Sequence, residues 1–113
     1  MKLFAHDHTM WATIGLYSGR EDNQFFQRHD DGTVERRPKG ISLRAGDAVA
    51  LGADTIHSVS NPSREWTGSI HTYGGDFFAA GRSMWPALDA PPSEFDSAKV
   101  EVVLEAAAAK ARG

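Results

Sequence analysis

Three histidines have the spacing and the chemistry to hold a metal ion. His6 and His8 are two residues apart, so in an extended segment their side chains point to the same face. His57 belongs to a second strand-like segment, residues 56–59. Three neutral imidazoles from two strands form a facial ligand set with open positions, which suits Fe, Zn, Cu or Ni. We predict one divalent ion at His6, His8 and His57, and we expect its binding to weaken as the pH falls through about 6.5.

A hydroxyl, an imidazole and a phenol follow one another in the segment Ser69-Ile-His71-Thr-Tyr73. Strand alternation puts Ser69, His71 and Tyr73 on one face. Such a row can relay a proton and hold the tyrosine toward a substrate. The same pattern is also typical of an edge strand whose polar side chains face solvent. The residues alone leave both interpretations open.

Composition and charge exclude several other kinds of chemistry. The chain has 113 residues and no cysteine, so it has no disulfide, no thiolate metal site and no cysteine nucleophile. Its net charge of −3 does not suit a nucleic acid or an anionic membrane. No apolar stretch approaches the roughly 20 residues of a membrane helix, and the first ten residues are unlike a signal peptide. We therefore expect a cytoplasmic protein with no nucleic-acid or membrane partner.

The elements that must position these residues are short strands in one domain, residues 1–113. Segments rich in β-branched and aromatic residues are separated by turn signals roughly every 8–12 residues, which is typical of a sandwich or barrel. The three tryptophans, Trp11, Trp66 and Trp85, are expected in the core or in a pocket wall. The predicted strands are 11–17, 23–28, 41–44, 48–51, 56–59 and 66–73.

The end of the chain has a different composition. Residues 77–96 contain prolines and aromatic residues, and we predict an irregular segment packed over the barrel. Residues 97–112 are rich in Ala, Glu, Val and Lys, which predicts a C-terminal α-helix. Acidic pairs such as Glu21-Asp22 are expected on a solvated, turn-rich face.

The two histidine segments resemble the two motifs of the cupin superfamily, whose fold is a double-stranded β-helix barrel, or jelly roll. The first cupin motif has the order His-x-His, Glu, Gly, and the second has the order Gly, Pro, Gly, His, Asn. Ala12 stands at the Glu position, whereas Gly52 and Asp54 replace the Pro and the second Gly. The matching residues are His6, His8, Gly19, Gly46, His57 and Asn61.

The missing glutamate makes the site similar to that of the thiol dioxygenases, the cysteine dioxygenase family, which use three histidines. Ser69, His71 and Tyr73 also resemble the Ser-x-His-x-Tyr triad of that family. The resemblance implies Fe(II), with Zn, Ni or another divalent metal as alternatives. It further implies that the enzyme uses O2 to oxidise a small thiol to a sulfinate, with Ser69, His71 and Tyr73 as the catalytic residues.

The chain departs from that family in two ways. Some members cross-link a cysteine to the tyrosine, which is impossible here, so we expect acids like 3-mercaptopropionate to be preferred over cysteine. The family's substrate-carboxylate arginine usually lies upstream of the His-x-His motif, and only five residues precede His6. Arg20, Arg64 or Arg82 are possible replacements, although an arginine on a barrel surface is the ordinary interpretation.

The short N-terminus also bears on association and on the alternative function. A barrel shortened at that end would leave an unpaired edge strand, so we predict a homodimer. Phe25, Phe26 and the segment 77–85 are expected to supply its apolar surface. The alternative to an enzyme is a non-catalytic cupin that binds a metal or small ligand, or a truncated relic that only folds and associates.

Overall fold

The fold consists of antiparallel strands. The computed structural model describes residues 2–77 and 79–96 and Ala98. Apart from Ala98, the helix predicted over 97–112 lies outside these residues. Within the described part of the chain, the strands are β1 (Ala5–Asp7), β2 (Ala12–Ser18), β3 (Arg20–Arg28), β4 (Val34–Arg44), β5 (Ala48–Leu51), β6 (Ile56–Ser60), β7 (Gly68–Tyr73), β8 (Ser83–Trp85) and β9 (Ser93–Glu94).

The strands form two sheets that share one core, so the all-β prediction is confirmed. One sheet has the order β4-β3-β6-β1-β8-β9 and the other the order β5-β2-β7. Ile14 and Leu16 of β2 lie in one cluster with Leu43 of β4, which shows that the inner faces of the two sheets pack together. Within the described residues, no helix is long and apolar enough to cross a membrane.

Strand β1, which carries His6, lies inside its sheet. It pairs with β6 on one side and with β8 on the other. The His6 strand is therefore not an edge strand, because β8 takes the second set of its backbone hydrogen bonds. Thr9 then turns the chain with a φ of 55°, a strained conformation for a β-branched residue. Its hydroxyl donates to the carbonyl oxygens of His8 and Gly81.

Two of the three tryptophans are not in the core. Trp85 is 1% exposed, and its indole donates to the carbonyl oxygen of Gly32. It packs with Phe26 and Ile56 on the outer face of the larger sheet. Trp11 and Trp66 are 51% and 70% exposed, so the prediction was wrong for both.

Two other expectations about the elements need correction. The segment 77–96 is not wholly irregular, because β8 pairs with β1 and β9 pairs with β8. Strand β4 is longer than the predicted 41–44 and begins at Val34. Its first half contains Arg36, Arg37, Pro38 and Lys39. Charged residues and proline are nevertheless tolerated on an edge strand, and β4 is an edge strand.

Candidate metal centre

The three predicted metal ligands lie together between the sheets. His6 of β1 pairs directly with His57 of β6, so both side chains point inward from neighbouring strands. His8 follows two residues after His6 and lies on the same face. All three residues are buried. The ring centroids are 5.0 Å apart for His6 and His8, 4.7 Å for His6 and His57, and 5.1 Å for His8 and His57.

Hydrogen bonds fix the tautomers of two of these rings. His6 Nδ1 lies 3.0 Å from the carbonyl oxygen of Phe4, and His57 Nδ1 lies 2.9 Å from the amide oxygen of Asn23. Both partners are acceptors only, so each Nδ1 carries the proton and each Nε2 keeps its lone pair. His57 Nε2 is buried and finds no hydrogen-bond partner in the described part of the chain. An unpaired buried lone pair is expensive, and a metal ion is the kind of partner it needs.

The distances between the donor atoms fit a shared ion. One ring nitrogen from each histidine can be chosen so that all lie within 4.8 Å of one another. Nitrogens that bind one ion at about 2.0–2.1 Å lie roughly 3 Å apart, so binding would draw the rings together. The donor set has three nitrogens and no carboxylate, as the sequence predicted. Such a set suits a transition metal and leaves positions free for exogenous ligands.

Burial keeps the three imidazoles neutral. Desolvation lowers the pKa of His6 to about 4 and that of His8 to about 3, and the positively charged Arg82 adds to both shifts. Desolvation also lowers the pKa of His57, with contributions from its two histidine neighbours. The folded protein therefore presents deprotonated ligands well below pH 6.5. The expected competition from protons near that pH applies to the unfolded chain instead.

The row Ser69, His71 and Tyr73 lies on the inner face of β7 and forms a continuous network. Ser69 Oγ is 3.1 Å from His71 Nε2, and His71 Nδ1 is 3.2 Å from the Tyr73 hydroxyl. The Tyr73 ring lies 5.2 Å from the His8 ring, which brings the row against the three histidines. Because β7 is an edge strand, the row is open to solvent on its other side.

The pKa shifts of His71 and Tyr73 both favour the neutral form of the side chain. His71 is exposed as a whole residue, yet its ring is shielded enough for desolvation to lower its pKa. Desolvation raises the pKa of Tyr73, a shift that Arg82 opposes and Glu21 reinforces. Tyr73 therefore keeps its phenolic proton at neutral pH, and His71 can accept or donate one hydrogen bond on each side.

Arg82 lies beside the centre, contrary to the expectation of a surface arginine. It is 9% exposed, and its guanidinium carbon lies 4.3 Å from the ring centroid of Phe77 and 3.9 Å from that of Phe95. Phe77 in turn contacts His8, and Phe95 contacts His6. The Nε–H group of Arg82 donates to the carbonyl oxygen of Asp7. The structure thus brings a desolvated positive charge to the rim of the histidine cluster.

A buried polar pair behind His57 was missed in the sequence. Asn23 accepts the His57 Nδ1 proton, and its amide group donates to the Glu21 carboxylate at 3.0 Å. Glu21 is 7% exposed, so its assignment to a solvated face was wrong. Strand alternation would have indicated this burial, because Glu21, Asn23 and the apolar Phe25 lie on the same face of β3.

The fold and the site together define an all-β protein with a candidate three-histidine metal centre. No protein-family model matches the chain.

The Asn23 hydrogen bond should tune metal affinity. We expect Asn23→Leu to weaken Co(II) or Zn(II) binding by about 10- to 100-fold, because it removes the acceptor that orients the His57 ring. Gln24→Leu is the matched control, since Gln24 lies on the opposite face of β3, and it should leave affinity unchanged. Competition titration with a chromophoric chelator measures both. Equal affinities in the two variants would contradict this role for Asn23.

The buried histidines should make the metal-free protein sensitive to mild acid. Between pH 6.5 and about 4 the unfolded chain binds protons that folded His6 and His8 do not, given their folded-state pKa values of about 4 and about 3. Stability should therefore fall as the pH is lowered through this window, by about 1.4 kcal/mol per pH unit for each proton taken up.

Urea unfolding from pH 7.5 to pH 5 measures this slope. His8→Gln should reduce the slope by one proton. A wild-type stability that is flat across this range would show that the imidazoles are not held neutral by burial.

Proposed function

We propose that this chain is a cupin-type, Fe(II)-dependent thiol dioxygenase whose substrate is a small thiol bearing a carboxylate. The observation that carries the proposal is the convergence of a phenol and a guanidinium on the three-histidine centre. Tyr73 lies against His8, and Phe77 packs between Tyr73 and Arg82, with the Tyr73 and Phe77 rings 4.3 Å apart. A substrate with a sulfur at one end and an anion at the other matches this arrangement.

The proposed reaction balances without a further reductant. A thiolate and O2 give a sulfinate: both oxygen atoms become bonded to sulfur, the O–O bond breaks, and the sulfur supplies the four electrons that O2 accepts. The thiol proton is released when the thiolate forms. Fe(II) held by His6, His8 and His57 would supply open coordination positions at which thiolate and O2 can meet.

Arg82 supports a carboxylate on the substrate. A guanidinium remains protonated in proteins, and its two terminal amino groups can bind a carboxylate through parallel hydrogen bonds. Its Nε–H group is anchored to the Asp7 carbonyl, and the stacked rings of Phe77 and Phe95 restrict its orientation. Because the arginine is largely desolvated, an anionic partner would be bound more strongly than at an exposed site.

Ser69 and His71 support an orienting role for Tyr73. If His71 donates its Nδ1 proton to the phenolic oxygen and accepts from Ser69 at Nε2, the phenolic O–H remains free to donate. That donor would lie beside the centre, where it can orient a substrate or stabilise developing negative charge. The row also offers a route by which the thiol proton could pass to solvent at the β7 edge.

Oxygen uptake by the Fe(II)-loaded protein tests the proposal. We expect uptake with 3-mercaptopropionate and a product heavier by two oxygen atoms, with slower turnover of cysteine. Tyr73→Phe should lower kcat by about 10- to 100-fold at constant metal content, the scale of one lost hydrogen-bond donor. Tyr17→Phe, on the opposite face of the sheet, is the matched control and should retain full activity.

The carboxylate requirement is tested with the amide of the same thiol. Arg82→Gln should raise KM for 3-mercaptopropionate by about 10- to 100-fold, since hydrogen bonds between charged partners contribute roughly 1.5–3 kcal/mol. It should change KM for 3-mercaptopropionamide little. If no thiol supports uptake although the metal is bound stoichiometrically, the enzyme proposal fails and a metal-binding cupin without catalysis takes its place.

A further inference from the structure

The outer face of the three-stranded sheet is exposed and carries no charge on its strands. Ile14 and Leu16 of β2 point into the core, so the alternate residues of β2 point outward. Register pairing adds the outward residues of β5 and β7 to the same face. Among the described residues of these strands, the outward positions are Thr13, Gly15, Tyr17, Ala48, Ala50, Ile70 and Thr72. In a chain with 24% charged residues, this face is unusual.

The face has a ridge along β7 and a trough along β5. Tyr17 is 66% exposed and lies over Gly68, and Trp11 is 51% exposed and lies over Gly74, so both rings lean toward β7. Ile70, also 66% exposed, stands between them. We call Trp11, Tyr17 and Ile70 the ridge.

The trough is formed by small residues. Gly15 pairs with Ala48, and Thr13 pairs with Ala50. A Cβ atom built on Gly15 would meet nothing within 4 Å, so the space above the centre of the sheet is open. We call Gly15, Ala48 and Ala50 the trough.

We propose that this face binds the same face of a second copy of the chain. A two-fold axis parallel to β2, lying between the three-stranded sheets of the two protomers, would place β7 of one protomer opposite β5 of the other. The ridge of each protomer would then lie in the trough of the other. Such an isologous arrangement requires a self-complementary surface, and Ile70 of the ridge lies at the level of Gly15 and Ala48 of the trough, so the two can interdigitate. Two protomers with net charge −3 would also meet through a face that adds no like-charge repulsion.

The size of the face indicates a weak dimer. Strands of seven, four and six residues, about 4.8 Å apart and with about 3.3 Å per residue, give roughly 270 Å² in plan. Two such faces together give roughly 550 Å² in plan, below the about 1,000 Å² of a stable specific interface, so the contact is that of a weak, transient dimer. We therefore expect a Kd on the order of 10–100 µM.

The proposed contact surface differs from the one expected for the homodimer from the sequence, and it involves neither the metal centre nor the proposed reaction. Phe26 and Trp85, which were expected to supply the contact surface, are buried in the protomer, and Phe25 packs against the inner core. The exposed aromatic side chains of Trp11 and Tyr17 lie on the outer face of the other sheet. A failure of the enzyme proposal would therefore leave the dimer untouched, and the reverse is also true.

Sedimentation velocity from about 2 to about 200 µM, a range that brackets the expected Kd, tests the proposal. The wild-type protein should change from a species of 12.3 kDa toward one of twice that mass. Gly15→Val is the decisive variant, because a β-branched residue there should preserve or raise protomer stability while filling the trough. It should remain monomeric, with Kd raised at least 10-fold.

A second variant and a control complete the test. Ile70→Lys should also abolish association, because it places a charge in the interface, whereas Ile41→Lys, on the β4 edge, should associate like the wild type. Urea unfolding confirms that each variant is folded. A wild-type protein that is monomeric at every concentration overturns the proposal. A dimer that survives both Gly15→Val and Ile70→Lys also overturns it, because another surface would then be responsible.

Discussion

The antiparallel pairing of β1 with β6 is the constraint on which the site depends. This pairing sets His6 directly opposite His57 and, through alternation, brings His8 to the same place. A shift of one residue in register would turn His57 toward the outer face and separate the ligands. β1 has only three residues, yet β6 and β8 pair with it on both sides. The geometry of the cluster is therefore held by strands and not by a flexible terminus.

The two ring nitrogens of His57 have different surroundings. Behind His57, Glu21 and Asn23 satisfy the Nδ1 side of the ring from within the core. The opposite nitrogen, Nε2, faces the other histidines and has no hydrogen-bond partner among the described residues. Such asymmetry is destabilising for the apoprotein, because an unsatisfied buried polar atom costs about 1–3 kcal/mol. A metal ion would remove that cost, so folding and metal binding are expected to reinforce each other.

Local patterns in the sequence predict some of this architecture well. The His-x-His spacing and the alternation in β7 depend only on strand geometry, and the structure brings both sets of side chains to the inner faces. Strand alternation also places Glu21 on an inner face, whereas no local pattern places Arg82. Arg82 is buried by contacts distant in sequence, with Phe95 and the β1 backbone, and its chemical type alone favours an exposed position. The prediction for Trp11 was wrong for the opposite reason. Large apolar residues are usually buried, but the Trp11 ring packs over Gly74 on an outer sheet face.

The central claim is that His6, His8 and His57 hold one divalent ion. The most direct measurement is the metal content of purified, metal-loaded protein by elemental analysis, for the wild type, His57→Ala and His29→Ala. The account predicts one equivalent for the wild type and for His29→Ala, whose imidazole lies on an exposed turn, and no stoichiometric metal for His57→Ala. A full equivalent retained by His57→Ala, or none bound by the wild type, would contradict it.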